Sequence, residues 1–123
     1  MTPYSTDWLC GAVILVRSEM FRAIGGFDPT FFLYFEETDL CARMLQAGFE
    51  LWATGDVEAI HAGGMSSKKL EPALRDGIYV VEHFFASQYY YLKKHHGAAA
   101  AAAVETTELA CKALRDFGRM VLR

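Results

Sequence analysis

Beyond residue 71 the chain keeps almost wholly to the helical period, which confines any sheet to the part before it. Pro72 suits a first helical position, where a missing N–H needs no partner. Leu74, Ile78, Val81, Phe85 and Leu92 then form one apolar stripe. Lys93, Lys94, His95 and His96 close this helix, cations where the macrodipole favours them, and Gly97 stops it. Residues 98–123 start alanine-rich and turn amphipathic, with Ala110, Leu114, Phe117 and Val121 on one face.

The first part reads differently. Residues 8–16 (WLCGAVILV) are a continuous apolar run rich in β-branched side chains, predicting a buried strand. Ser18 suits the cap of a short helix over 19–24, which Gly25-Gly26 closes. Asp28-Pro29 marks a turn, followed by the aromatic loop 31–35. A second helix is expected over 36–47, with Leu40, Cys41, Met44 and Leu45 as its apolar stripe and Gly48 as its stop. Two short strands, 50–53 and 57–60, lead into the small-residue loop 61–67. The fold class predicted is α/β, with residues 1–70 and 71–123 as the two parts.

Hydrophobic residues at 53%, with 9 Phe and 6 Tyr, allow a packed core and argue against disorder. A net charge of -3 and no basic stripe argue against nucleic acid as a partner. The 3 cysteines, Cys10, Cys41 and Cys111, form no CxxC pair, and two sit beside leucines, so they suit buried thiols in a reducing compartment. No signal peptide is visible at Met1, and no apolar run reaches the roughly 18 residues of a membrane span. These features predict a cytoplasmic protein, at most in contact with the inner membrane face.

Four segments carry a more specific signal. Trp8-Leu9-Cys10-Gly11-Ala12, Ile24-Gly25-Gly26-Phe27-Asp28, the run from Phe31 to Cys41 and His61-Ala62-Gly63-Gly64 follow one another in order and spacing. In register they resemble the acceptor-side, carboxyl-terminal half of the family-2 inverting glycosyltransferases, in particular the rhamnosyltransferase-like members. The aromatic-basic run from Tyr89 to Gly97 is similar to the helix end that often follows there. The resemblance implies a partial GT-A fold lacking its nucleotide-binding half, with long carboxyl-terminal helices. It also implies transfer of a sugar, with a lean to rhamnose, from a nucleotide-diphosphate donor to a saccharide or lipid-linked saccharide acceptor in cell-surface polysaccharide synthesis.

The chemistry explains the residue types. Inverting transfer is one in-line displacement, and the acceptor hydroxyl must lose its proton as it attacks, so a carboxylate must lie within hydrogen-bond reach. An inverting glycosidase needs a second carboxylic acid to protonate a poor leaving group. Here a nucleotide diphosphate departs, and a divalent cation can neutralise it. By resemblance the base is Glu37, the second acid of the pair, where many relatives carry aspartate. Glu36 is its neighbour and Asp39 the fallback. His61 corresponds to a ligand for Mn²⁺ or Mg²⁺. Apart from the resemblance, Trp8 and the Gly11-Ala12 step suit the lining of an acceptor pocket, where a small residue lets a sugar approach the backbone, and suit equally a core strand with a packing glycine. On spacing alone, Glu36 and Glu37 merely complement a helix start, and Asp39 pairs with Arg43 on the outer face.

The resemblance places the family's Asp-x-Asp ahead of Trp8, and no Asp-x-Asp occurs in this sequence. The chain alone is therefore expected neither to hold a sugar nucleotide tightly nor to turn over. An apolar strand over 8–16 without sheet neighbours would leave an edge that favours a homodimer. The competing reading is a non-catalytic helical association module, in which the long helices matter and the acids are incidental. On those helices Glu105, Glu108 and Asp116 oppose membrane contact.

Overall fold

The computed structural model describes residues 2–61 and 77–121, with side chains for 2–61 and 81–120. It divides into two compact units, Met1–Ser87 and Gln88–Arg123.

In the first unit the regular elements are β1 (Tyr4–Thr6), α1 (Ser18–Ala23), α2 (Glu36–Gln46) and β2 (Leu51–Ala53), followed by the start of α3 (Gly77–His96). β1 and β2 pair antiparallel, Tyr4 facing Ala53 and Thr6 facing Leu51. The core is the apolar stripe of α2: Leu40, Cys41 and Met44 are buried together with Leu51. Leu9, Val16, Met20, Phe21, Ile24, Leu45 and Phe49 pack around it. Each fully buried leucine stabilises the unit by about 2 kcal/mol relative to an exposed one.

Both short helices end in the same way. After α1, Gly26 N–H reaches Phe21 O (2.9 Å) and Gly25 N–H reaches Arg22 O (3.1 Å). After α2, Phe49 N–H reaches Met44 O (3.0 Å) and Gly48 N–H reaches Leu45 O (2.9 Å). These paired 6→1 and 5→2 bonds need a left-handed residue just past the helix, and Gly25 (φ +79) and Gly48 (φ +82) supply it. The glycine stops expected from sequence thus stand where they were placed.

Other expectations are corrected. Residues 8–16 form no strand, and Val13 and Leu15 are exposed, Leu15 at 99%. A strand needs a hydrogen-bonded neighbour, and among the described residues the paired strands are β1 and β2. Leu9 and Val16 nevertheless reach the core, so the run packs as irregular chain. Residues 57–60 are likewise no strand: Asp56 N–H turns back onto Thr54 Oγ1 (3.2 Å), and Val57 and Ile60 are exposed. Ser18 is the first residue of α1 rather than its cap, since Arg17 holds that position without a side-chain bond.

On α3, Val81 and Phe85 of the expected stripe are half-exposed. Among its described side chains, the one that α3 buries is Ser87. Pro72 and Leu74 lie outside the described residues.

The second unit holds the end of α3 and α4 (Ala98–Val121). Gly97 (φ +88) separates them, its N–H bonded to Lys93 O (3.2 Å) and its carbonyl to Ala101 N–H (3.2 Å). Ala101 is fully buried, and Gln88 Nε2 donates to Glu108 Oε1 at 3.1 Å. Of the expected apolar face of α4, Leu114 and Phe117 are exposed.

Candidate functional site

The candidate acids sit in the first turn of α2, whose unpaired N–H groups favour negative charge. Phe35 occupies the N-cap with a left-handed backbone (φ 68) and accepts the N–H of Asp39 at 2.8 Å. From there the three acids meet different surroundings.

Asp39 is completely buried, and Arg43 Nε donates to its Oδ2 at 2.7 Å. The rest of the guanidinium donates to the carbonyls of Ile24 (2.7 Å) and Gly26 (2.6 Å), so the pair ties α2 to the closing turn of α1. The Asp39–Arg43 pairing read from the spacing is present, but on the inner face rather than the outer. An acid with no access to solvent, held by a guanidinium, is placed to hold the fold. The structure gives Asp39 no open side from which to serve as the fallback base.

Glu36 is partly buried, and its Oε2 has no hydrogen-bond partner among the described residues. Burial pushes its carboxyl above the usual value, a bond from its own backbone N–H opposes this, and the charge of Glu37 adds to the rise.

Glu37 lies across Gly11. A Cβ built on Gly11 would stand 3.2 Å from Glu37 Cβ and 3.3 Å from its Cγ and Cδ. The glycine thus makes room for the acid itself. Trp8, three residues earlier, is half-exposed, and its indole Nε1 donates to Thr38 Oγ1 at 3.1 Å. Thr6 Oγ1 in turn donates to Trp8 O at 3.1 Å. Beneath them Cys41 Sγ lies 4.0 Å from Leu9 O, and burial raises its thiol pKa, so it packs as an inert core group.

Segment 8–11 and the start of α2 therefore bring Trp8, Gly11, Glu37 and Thr38 into one place. Thr38 was not singled out from sequence, because a threonine inside a helix start carries no periodic signal. Ala12 is exposed in the turn beside Gly11. An open groove of about 470 Å³, lined among others by Leu9, Leu15, Met20, Phe49 and Trp52, includes none of the candidate acids in its lining.

His61 is exposed at the end of the first described stretch, and Ala62, Gly63 and Gly64 lie outside it. Among the described residues no three His, Cys, Asp or Glu side chains converge as a metal site needs. One imidazole does not make a binding site, so the described residues alone do not fit a divalent cation.

Residues 1–69 match the family model described as the N-terminal domain of galactosyltransferase. That is more than half of the chain, and the chain belongs to this glycosyltransferase family. It is similar to the rhamnosyltransferase WbbL of Escherichia coli (strain K12), 42% identical over 55 residues, which is 45% of this chain and 21% of that protein. It is also similar to N-acetylglucosaminyl-diphospho-decaprenol L-rhamnosyltransferase of Mycobacterium tuberculosis, 39% identical over 54 residues, 44% of this chain and 18% of the relative. The matched stretch thus spans about a fifth of these relatives' length. No solved structure matches.

Proposed function

We propose that this chain is the acceptor-side part of an inverting glycosyltransferase of the GT-A kind, with Glu37 as the general base. The observation that carries the reading is the packing of Glu37 across Gly11, beside the Trp8–Thr38 hydrogen bond. An exposed indole suits the apolar face of a sugar ring, and the adjacent carboxylate suits the hydroxyl that reacts. In the step itself, the acceptor oxygen passes its proton to Glu37 as it bonds to the anomeric carbon. The bond from that carbon to the nucleotide diphosphate breaks at the same time and carries its electron pair away.

Burial pushes the Glu36 carboxyl above its usual value. The rhamnosyltransferase relatives support rhamnose as the sugar, and the mycobacterial name supports a diphosphate-lipid-linked saccharide as the acceptor. His61 is assigned a single ligand position toward Mn²⁺ or Mg²⁺. The remaining ligands would have to come from outside the described residues, and no step is routed through the ion. The reading divides the chain into an acceptor-side part at 1–70 and a helical extension at 71–123. It places the reaction in cell-surface polysaccharide synthesis on the cytoplasmic side. No helix among the described residues is long and apolar enough to cross a membrane.

The test is transfer by the complete gene product from a panel of sugar nucleotides, with product stereochemistry read by NMR. Rhamnosyl transfer with inversion is the expected result, and retention of configuration would overturn the reading.

One observation favours the association module as a second reading: Leu109, Leu114, Phe117 and Met120 of α4 are all more than half exposed. Such a face suits another helix.

A further inference from the structure

Immediately before Glu36 and Glu37, Tyr34 (φ 67) and Phe35 (φ 68) both adopt the left-handed backbone region. Bulky L-residues rarely do so, and two in succession need neighbours that hold them there. Helix α3 provides those neighbours. The Ser87 hydroxyl, 6% exposed, donates to Leu33 O at 2.9 Å. The Phe84 ring meets Tyr34 edge-on (centroids 5.6 Å, 72°) and Phe35 at a tilt (5.5 Å, 56°). One turn of α3 thus grips three successive residues of the loop, on which the first turn of α2 hangs through the Asp39–Phe35 bond.

We infer that Phe84 and Ser87 are positioning residues: they hold the loop 33–35 in its left-handed form and thereby aim the Glu36–Glu37 turn at the Trp8–Gly11 segment. Both residues lie beyond the family-matched stretch 1–69, so the helical part contributes to the geometry of the acid pair. The catalytic meaning of this grip rests on the reading of Glu37 as base.

Ordinary core packing predicts a different response to mutation. Removing a packing contact loosens a unit broadly, whereas removing a grip on the loop frees the start of α2 and spares its end. Ser87→Ala and Phe84→Leu, which removes the ring but keeps an apolar side chain, test this, with Ser87→Thr retaining the hydroxyl. In the chain, amide hydrogen exchange at Asp39 is expected to speed up about tenfold in Ser87→Ala, the shift expected from one lost buried hydrogen bond. Exchange at Leu45 should stay unchanged, and Ser87→Thr should restore protection at Asp39.

In the complete gene product the same two variants should lower kcat with little change in acceptor KM, with Glu37→Gln assayed alongside. Equal acceleration at Asp39 and Leu45, or none at either, overturns the proposal, and in that case loss of transfer in Glu37→Gln leaves the base reading standing. Retained transfer in Glu37→Gln removes the base reading and the catalytic role of the grip with it, whatever the exchange shows. A Ser87→Ala chain that fails to fold leaves Phe84→Leu to decide by the same criteria.

Discussion

Arg43 reaches back one turn of α2 to Asp39 at 2.7 Å, and with its other two nitrogens it closes on the carbonyls of Ile24 and Gly26. The pair therefore links two helices, and its loss should appear as instability. Asp39→Ala leaves the guanidinium without its counter-charge and should destabilise the chain by about 3 kcal/mol. Denaturant unfolding measures this, and a change within a few tenths of that of an exposed-site control would refute the structural role.

Gly11 is the second test. It is exposed, yet an added methyl would press on the Glu37 side chain at 3.2 Å. Gly11→Ala should push the Glu37 side chain aside by a few tenths of an ångström and lower kcat, by less than the roughly hundredfold that a 1 Å misplacement costs. The melting temperature should hardly move. Unchanged kcat in a folded Gly11→Ala enzyme would show that this contact does not position the acid.

Glu36 makes a prediction in pH. Its folded-state pKa is raised above 4.5, chiefly by burial. Below the unfolded value both states are protonated and the group is neutral in its effect. As pH rises from the unfolded toward the folded value, the native state holds more protons than the unfolded one, so stability falls. Glu36→Gln should therefore be more stable than the parent at pH 7, with the difference shrinking as pH falls through 4.5. Melting curves at several pH values check it, and a parent that is the more stable at pH 7 would contradict it.

The Trp8–Thr38 bond gives a fourth prediction. Thr38→Val removes the acceptor for the indole N–H and frees the ring, so acceptor KM should rise several-fold, as expected from losing about 1 kcal/mol of positioning. Donor KM should stay the same. Steady-state kinetics with each substrate varied in turn separates the two, and an effect confined to the donor would count against an acceptor platform at Trp8.

Local chemistry made much of this legible in the sequence. The helix ends at Gly25 and Gly48 need left-handed backbone, and the burial of Leu40, Cys41 and Met44 follows from their helical spacing. The run 8–16 misled because an apolar β-branched stretch is read as a strand, although strand formation depends on a hydrogen-bonded neighbour elsewhere in the molecule. Thr38, Phe84 and Ser87 left no trace at all, since their roles arise from contacts spanning 30 to 54 positions, which periodicity does not encode. The inward face of the Asp39–Arg43 pair was hidden for the same reason, because spacing shows that two residues meet and not what covers them.

As the proposed base, Glu37 would take the acceptor's proton. The most direct measurement compares transfer by Glu37→Gln and Glu37→Asp in the complete gene product. The amide should lower kcat by about 10²–10⁴, the range for loss of a general base, while the shorter acid retains a substantial part of the activity. Transfer by Glu37→Gln at the parent rate would contradict the account.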